Sequence, residues 1–216
     1  AALGFADLPL LDAIAAAARA TISEAGCQSL SNTAWAFAKL VICDGPLLAA
    51  IAAQSLPRIG DFDPQNLSNT AWAFAVLLFA DRPLHHALAA EARPRCAAFD
   101  VRALANTSWS FARLLWMDCP LLEATASRAI ARSSEIELQS IGNLAWSFAK
   151  LSYADVPFMN AISAQAITKC SYFDPQGLTN TAWAYAQLPL LHAPLLHAIA
   201  AAAIPRMAPF TAQNLA

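Results

Sequence analysis

Hydrophobic and polar positions follow helical spacing along the chain, in a pattern that returns every 37 residues. In the stretch LSNTAWAFA (residues 67–75), the apolar residues Leu67, Ala71, Phe74 and then Leu78 recur every three or four positions, as on the buried face of an α-helix. The other copies of this stretch begin at Leu30, Leu104, Ile141 and Leu178. A fixed period of about 20–50 residues is typical of helical or solenoid arrays, in which each unit buries its apolar face against its neighbours.

Each period predicts two helices, which we name helix A and helix B. In the first complete unit, helix A runs from Gln28 to about Ile42, and helix B begins at Pro46 and ends near Leu56. Proline is tolerated in a first helical turn, where its missing N–H would have no partner. The sequence therefore predicts an all-α fold, an α-α superhelix (solenoid) of 37-residue helix-turn-helix repeats without strands.

The unbroken period also predicts the domain organisation. We expect a single continuous array over residues 1–216, because no insertion interrupts the register. The units are a partial repeat at 1–26, complete repeats at 27–63, 64–100, 101–137, 138–174 and 175–211, and the start of another at 212–216. Since the chain starts and stops inside repeats, we expect it to be a slice of a longer protein.

The composition excludes several classes of protein. With 58% hydrophobic and 13% charged residues, the chain has the composition of a packed protein and not of a disordered one. The most membrane-like window, 188–205, contains two prolines and two histidines and keeps the repeat register, so we predict no membrane insertion. Five cysteines without a C-x-x-C spacing are expected to be reduced thiols, which favours a cytosolic or organellar compartment.

The sequence offers no catalytic constellation. Most acidic residues fall at predicted helix starts, where carboxylates cap the first turn and oppose the helix dipole. His86 and His197 share one repeat position but stand three units apart, roughly 30 Å at the usual spacing of packed helices, too far to bind one metal. We predict that the segment is not an enzyme and has no cofactor, catalytic residue or metal site.

Polar residues recur on the side of helix A that faces away from the predicted core, and basic residues recur near its end. Lys39, Arg113 and Lys150 share one repeat position, so stacked units would align them in a column. Asn66 stands at a position that varies between units, as a base-reading residue must. The candidate RNA-binding residues are Gln28, Lys39, Gln65, Asn66, Arg102, Arg113, Gln139, Lys150, Gln176 and Gln187.

Three other repeated positions are given structural interpretations. The invariant asparagines, from Asn32 to Asn180, are expected to form a hydrogen-bond ladder between repeats in preference to reading bases. The repeated tryptophans, from Trp35 to Trp183, are assigned to packing, with base stacking as the alternative. The cations after helix B, among them Arg58, are expected to interact with helix ends.

The pattern F-D-P-Q-x-L-x-N-x-x-W-A-x-A-x-L resembles the octotricopeptide repeats of algae and the similar 37-residue heptatricopeptide repeats of protist organelle proteins. The resemblance covers the whole chain. It implies a helical-repeat protein of the mitochondrion or the plastid (chloroplast) that binds organellar RNA. Its implied roles are RNA stabilisation, processing or translation, or contact with rRNA as an organelle-ribosome component.

Two functions remain open from the sequence. The first is binding of organellar rRNA or mRNA along the helix A surface, alongside other proteins of a ribonucleoprotein assembly. The alternative is a protein-binding scaffold within a large complex. The net charge of −2 favours this alternative, because proteins that bind nucleic acid mainly through its phosphates are usually basic.

Overall fold

The computed structural model describes residues 8–188, 190 and 192–206, and in this part of the chain it contains eleven α-helices and no strand. The predicted all-α class is confirmed, with helices packed in repeating pairs as in a helical-repeat solenoid. The B helices are Leu8–Ala20 (α1), Gly45–Ser55 (α3), Arg82–Arg95 (α5), Cys119–Ala131 (α7), Val156–Lys169 (α9) and Ala193–Ala203 (α11). The A helices are Cys27–Lys39 (α2), Pro64–Val76 (α4), Val101–Arg113 (α6), Leu138–Lys150 (α8) and Pro175–Gln187 (α10).

The chain forms two compact units, Ala1–Ala98 and Phe99–Ala216. In the first unit, α2 packs beside α4 in one layer, and α3 packs against α1 and α5 in the other. In the second unit, α6, α8 and α10 form the layer of A helices, while α9 packs between α7 and α11. Each unit is thus two layers of helices. That the two units belong to one continuous array stays a prediction.

A column of aromatic side chains fills the space between the two layers of each unit. Its members stand 37 residues apart and are all buried: Phe37, Phe74, Phe111, Phe148 and Tyr185. Burial of one such ring contributes about 1.5–3 kcal/mol. Tyr185 has a tyrosine ring where the other repeats have phenylalanine, and its buried hydroxyl donates a hydrogen bond to the Met159 carbonyl.

Aspartates begin most of the helices, as the sequence predicts. The side chains of Asp44, Asp81, Asp118 and Asp155 accept the backbone N–H three residues on, at 2.8–2.9 Å, and cap the B helices. Asp63, Asp100 and Asp174 do the same for α4, α6 and α10. Glu137 stands at the same position but makes no such bond, and instead pairs with Arg102.

Four of the five A helices, α2, α4, α6 and α8, are followed two residues later by a residue in the left-handed conformation, and none of these residues is glycine. The four are Val41, Leu78, Leu115 and Ser152, each 37 residues from the next, with φ between 53° and 58°. The backbone N–H of the next residue donates a hydrogen bond to the carbonyl of the aromatic-column residue, as Ile42 does to Phe37 at 3.0 Å. This bond is part of the Schellman motif, which satisfies carbonyls at a helix end.

The cations after the B helices link each repeat to the one before it. Each donates to a backbone carbonyl in the turn that precedes the previous helix A. The pairs are Arg58 with Ala25 (2.8 Å), Arg95 with Gly60 (3.4 Å), Arg132 with Phe99 (3.3 Å), Lys169 with Ile136 (2.6 Å) and Arg206 with Phe173 (3.1 Å). The prediction for these cations was interaction with helix ends, whereas the structure shows hydrogen bonds to turn carbonyls between repeats.

All five cysteines are free thiols in the structure, and Cys96 and Cys170 are buried. Burial raises the pKa of the Cys170 thiol, which makes it less reactive. Across residues 8–188, 190 and 192–206, no helix has the length and apolar character needed to cross a membrane.

Candidate nucleic-acid interface

Each A helix presents one polar stripe, which we call the helix A stripe. In α8 it consists of Gln139, Asn143, Trp146 and Lys150, at intervals of four, three and four residues that keep them on one face. The corresponding residues are Gln28, Asn32, Trp35 and Lys39 in α2; Gln65, Asn69, Trp72 and Val76 in α4; Arg102, Asn106, Trp109 and Arg113 in α6; and Gln176, Asn180, Trp183 and Gln187 in α10. All of these side chains are exposed or half-buried.

The structure places nine of the ten predicted RNA-binding residues on the exposed surface. They occupy the first and last positions of the stripe: Gln28, Lys39, Gln65, Arg102, Arg113, Gln139, Lys150, Gln176 and Gln187. In the second unit, the adjacent packing of α6, α8 and α10 brings Arg113, Lys150 and Gln187 into one column.

Asn66 is the predicted residue that lies elsewhere. It is 8% exposed, and its Oδ1 accepts a hydrogen bond of 2.9 Å from the Ser31 hydroxyl. The amide therefore joins α2 to α4 inside the first unit, and little of its surface remains for a ligand.

Arg102 is exposed but already paired. Its Nη2 donates to both carboxylate oxygens of Glu137, at 3.0 and 3.2 Å. The hydrogen bond with Glu137 raises the pKa of Arg102, which stays charged. A phosphate at this position would compete with Glu137, so we expect Arg102 to contribute less than Arg113.

The tryptophans form a ladder on the surface of the second unit. The ring centroids of Trp109 and Trp146 are 6.3 Å apart, and those of Trp146 and Trp183 are 6.4 Å apart, with the planes tilted by 34° and 32°. These separations are those of interacting aromatic pairs. Trp183 is 38% exposed, and Trp35 in the first unit is 41% exposed.

Cations sit beside these rings at the end of the stripe. The Arg113 guanidinium carbon lies 5.4 Å from the Trp109 centroid, and Lys39 Nζ lies 5.7 Å from the Trp35 centroid. Both distances fall within cation–π range. A surface that combines aromatic faces with cations has the two components by which proteins bind single-stranded nucleic acid, stacking and phosphate attraction.

The sequence favoured packing of the tryptophans between repeats, with base stacking as the alternative, and in the second unit the rings do contact each other between adjacent A helices. Each tryptophan stands three residues after the asparagine and four before the position of Lys39, Arg113 and Lys150, which places it on the helix A stripe. The hydrogen-bond ladder expected between the asparagines does not form among the described residues within either unit. In the described part of each unit, no hydrogen bond joins Asn32 to Asn69, or Asn143 to Asn106 or Asn180.

Groups that could do chemistry are not assembled on this surface. Among the described residues, no group of three or more His, Cys, Asp or Glu side chains could hold a metal ion. What the stripe offers is amides, aromatic rings and cations, which suit binding.

The fold and the stripe together define a helical-repeat protein whose A helices carry a polar and aromatic surface. Residues 2–118 and 96–214 each match the model of one family, the RNA-editing substrate-binding complex 6 protein (RESC6). The chain belongs to this family. The complex in the family's description acts in mitochondrial RNA editing. None of the curated proteins matches the chain.

The family match changes the expectation that came from the resemblance. It supports an RNA-associated helical-repeat protein of an organelle, but it does not name the octotricopeptide or heptatricopeptide families. The process it names is RNA editing, a form of the RNA processing that the resemblance implied beside stabilisation, translation and contact with rRNA.

Proposed function

We propose that this chain is a non-catalytic, RNA-binding part of a mitochondrial RNA-editing substrate-binding complex. The observation that carries the proposal is the tryptophan ladder Trp109–Trp146–Trp183, which lies partly exposed between a column of amides and a column containing Arg113 and Lys150. The family description supports the process, and the stripe supports direct contact with RNA.

The binding mode follows from the order of the groups along each stripe. Lys39, Arg113 and Lys150 attract phosphates, and the adjacent indole rings stack with unpaired bases. Stacking tolerates any base, because every base has an aromatic face. With cations at only three of the five copies of this repeat position, we expect moderate affinity that depends on aromatic contact as much as on charge.

A salt series tests the proposal. Each phosphate contact to a single strand changes the slope of log K against log salt by about 0.7, so replacing Lys39, Arg113 and Lys150 by Gln should reduce the slope by about 2. Affinity should fall alike for all sequences, because phosphates carry no sequence information. The measurement is fluorescence anisotropy of a labelled single-stranded RNA of mixed sequence at several salt concentrations.

The matched control removes the same charge from the layer of B helices. Arg82, Arg93 and Arg128 lie on α5 and α7. Their replacement by Gln should change the slope by much less, since separated surface charges are screened beyond about 10 Å at 0.1 M salt. If the two triple variants change the slope equally, the RNA is attracted by the total charge of the chain. This result would count against the helix A stripe as the binding site.

A second candidate function, a protein-binding scaffold, is favoured by the ends of the A helices. Val41, Leu78 and Leu115 are exposed apolar side chains at one repeat position, and Val41 is 75% exposed. A β-branched residue with a positive φ is a costly choice for an exposed turn. If RNA affinity and slope stay unchanged in the helix A variant, this protein-binding function replaces the RNA-binding one.

A further inference from the structure

A cavity of about 390 Å³ opens in the second unit between the N-terminal parts of α8 and α10. Four of its lining residues belong to the first half of the helix A stripe: Gln139, Asn143, Gln176 and Asn180. The cavity therefore continues the surface that carries Trp146 and Trp183. Its volume lies within the range of about 300–1,000 Å³ that is usual for ligand pockets.

Two glycines line the cavity at the positions where the first unit has a hydrogen-bonded pair. Gly142 and Gly177 correspond, three repeats on, to Ser31 and Asn66 of the first unit. There the two side chains are buried and joined by a hydrogen bond of 2.9 Å, and they fill the space between α2 and α4. Between α6 and α8 the corresponding residues are Ala105 and Ser140, both buried.

Packing accounts for one of the two glycines. A Cβ on Gly177 would lie 2.4 Å from the Phe173 ring, so this position has no room for a side chain. A Cβ on Gly142 would meet only ordinary contacts, at 3.7 Å from Gly177. Glycine inside a helix costs about 1 kcal/mol relative to alanine, so Gly142 carries a cost that packing does not require.

The lining of the cavity suits a neutral, planar, polar ligand. The four carboxamides each offer donors and an acceptor, and the Tyr172 ring at the rim is 75% exposed. The lining residues include no Lys or Arg, and their one carboxylate is Asp174, which caps α10 through the Gly177 N–H at 2.7 Å. A phosphate would be repelled here, whereas the edge of a base can pair with the amides.

We propose that this cavity binds one unpaired nucleobase of an RNA strand that lies on the helix A stripe. The proposal rests on the RNA-binding function above. It adds one place, the cavity, at which the identity of a base is recognised. Unpaired bases are recognised in this way in RNA, through hydrogen bonds to their edges and stacking on an aromatic ring. Tyr172 supplies the stacking face, and Gln139, Asn143, Gln176 and Asn180 supply the hydrogen bonds.

The test uses ten-nucleotide single-stranded RNAs of mixed sequence that carry 2-aminopurine at one position at a time. Bases that stack on the indole rings should also change their fluorescence, but at one position the change should depend on the side chains that line the cavity. The variant Gln139→Ala with Gln176→Ala should abolish that signal and lower affinity about tenfold, the scale of one well-held base. The slope against salt should stay the same, because no cation is removed.

The matched control is Gln28→Ala with Gln65→Ala, which removes the same two amides from α2 and α4, where Ser31 and Asn66 occupy the space. It should keep the position-specific signal and weaken binding by less than about threefold, since only surface contacts are lost. Gly142→Met fills the cavity without removing an amide, and it should also abolish the signal. Circular dichroism checks the fold of every variant.

The outcomes separate this inference from the proposed function. If the unmodified chain binds RNA with a salt-dependent slope but the cavity and control variants behave alike, the base pocket is wrong and RNA binding stands. If the signal survives in Gly142→Met, the base lies elsewhere. If the unmodified chain does not bind RNA, both proposals fall.

Discussion

His85 is a buried histidine at a position where the other repeats have an apolar residue. It is 1% exposed, and its Nδ1 lies 2.6 Å from the Asp81 carbonyl oxygen, to which it donates. The corresponding residues in other repeats are Leu48, Leu122 and Met159. Burial lowers the pKa of His85, against the smaller opposing effects of the hydrogen bond and the charge of Asp81.

This burial predicts a pH dependence of stability. Because the pKa of His85 is lower in the folded chain than in the unfolded one, its contribution is complete above about pH 6.5 and is lost as the pH falls below that value. One proton taken up on unfolding gives a slope of at most about 1.4 kcal/mol per pH unit. Denaturant unfolding between pH 7 and pH 5 measures it.

His85→Leu should reduce this slope, since leucine is the residue found at the same position in α3 and α7. His86→Gln is the neighbouring control. His86 is exposed on the same helix, so its replacement should leave the slope nearly unchanged. A wild-type stability that is flat over this pH range would mean that His85 is accessible to protons in the folded chain.

At the scale of single residues, the sequence predicted which residues lie on the polar face of helix A better than it predicted which side chains are buried. It identified the polar face of helix A, and nine of ten candidates are exposed there. It could not place Asn66, because burial of that amide depends on Ser31 of the neighbouring helix. The sequence also could not show how much of each tryptophan ring stays exposed, since this is set by how closely adjacent A helices pack.

At the scale of elements, the helix pairs followed directly from the period, and the predicted boundaries were close. Helix A of the first full unit ends at Lys39, earlier than the predicted Ile42, because Val41 turns left-handed and closes the helix. Nothing in the residue type signals this, since valine rarely takes that conformation.

The links between repeats give a prediction at this scale. Lys169 ends α9, and its Nζ donates to the Ile136 carbonyl at 2.6 Å. Lys169→Met keeps the aliphatic stem and removes the charged donor, so we expect a loss of about 1.5–3 kcal/mol in the free energy of unfolding.

Lys150→Met controls for the helix dipole. Lys150 also ends a helix of the second unit, α8, but its side chain is exposed. Its replacement should cost less than about 0.5 kcal/mol, as for surface residues generally. Equal losses in the two variants would assign the effect of Lys169 to the helix dipole and not to its bond with Ile136. Urea denaturation of both variants, followed by circular dichroism, makes the comparison.

At the scale of the molecule, the period and the compact units divide the chain differently. The 37-residue register runs through residues 98 and 99 without interruption, whereas the division of the chain into two compact units falls between these residues. We propose that the chain behaves as one array. In such arrays, stability is a sum of repeat terms and nearest-neighbour terms, so a weakened repeat lowers the stability of those beside it.

Phe148→Ala tests this proposal. The ring is fully buried in the core of the second unit, and removing it should cost about 3–5 kcal/mol. In one array, hydrogen exchange should then speed up in the buried helix α4 of the first unit as well as in α8, because the outer repeats lose the support of the central ones. Exchange that accelerates only within the second unit would mean that the two units unfold independently, and each would then have to hold RNA by its own A helices.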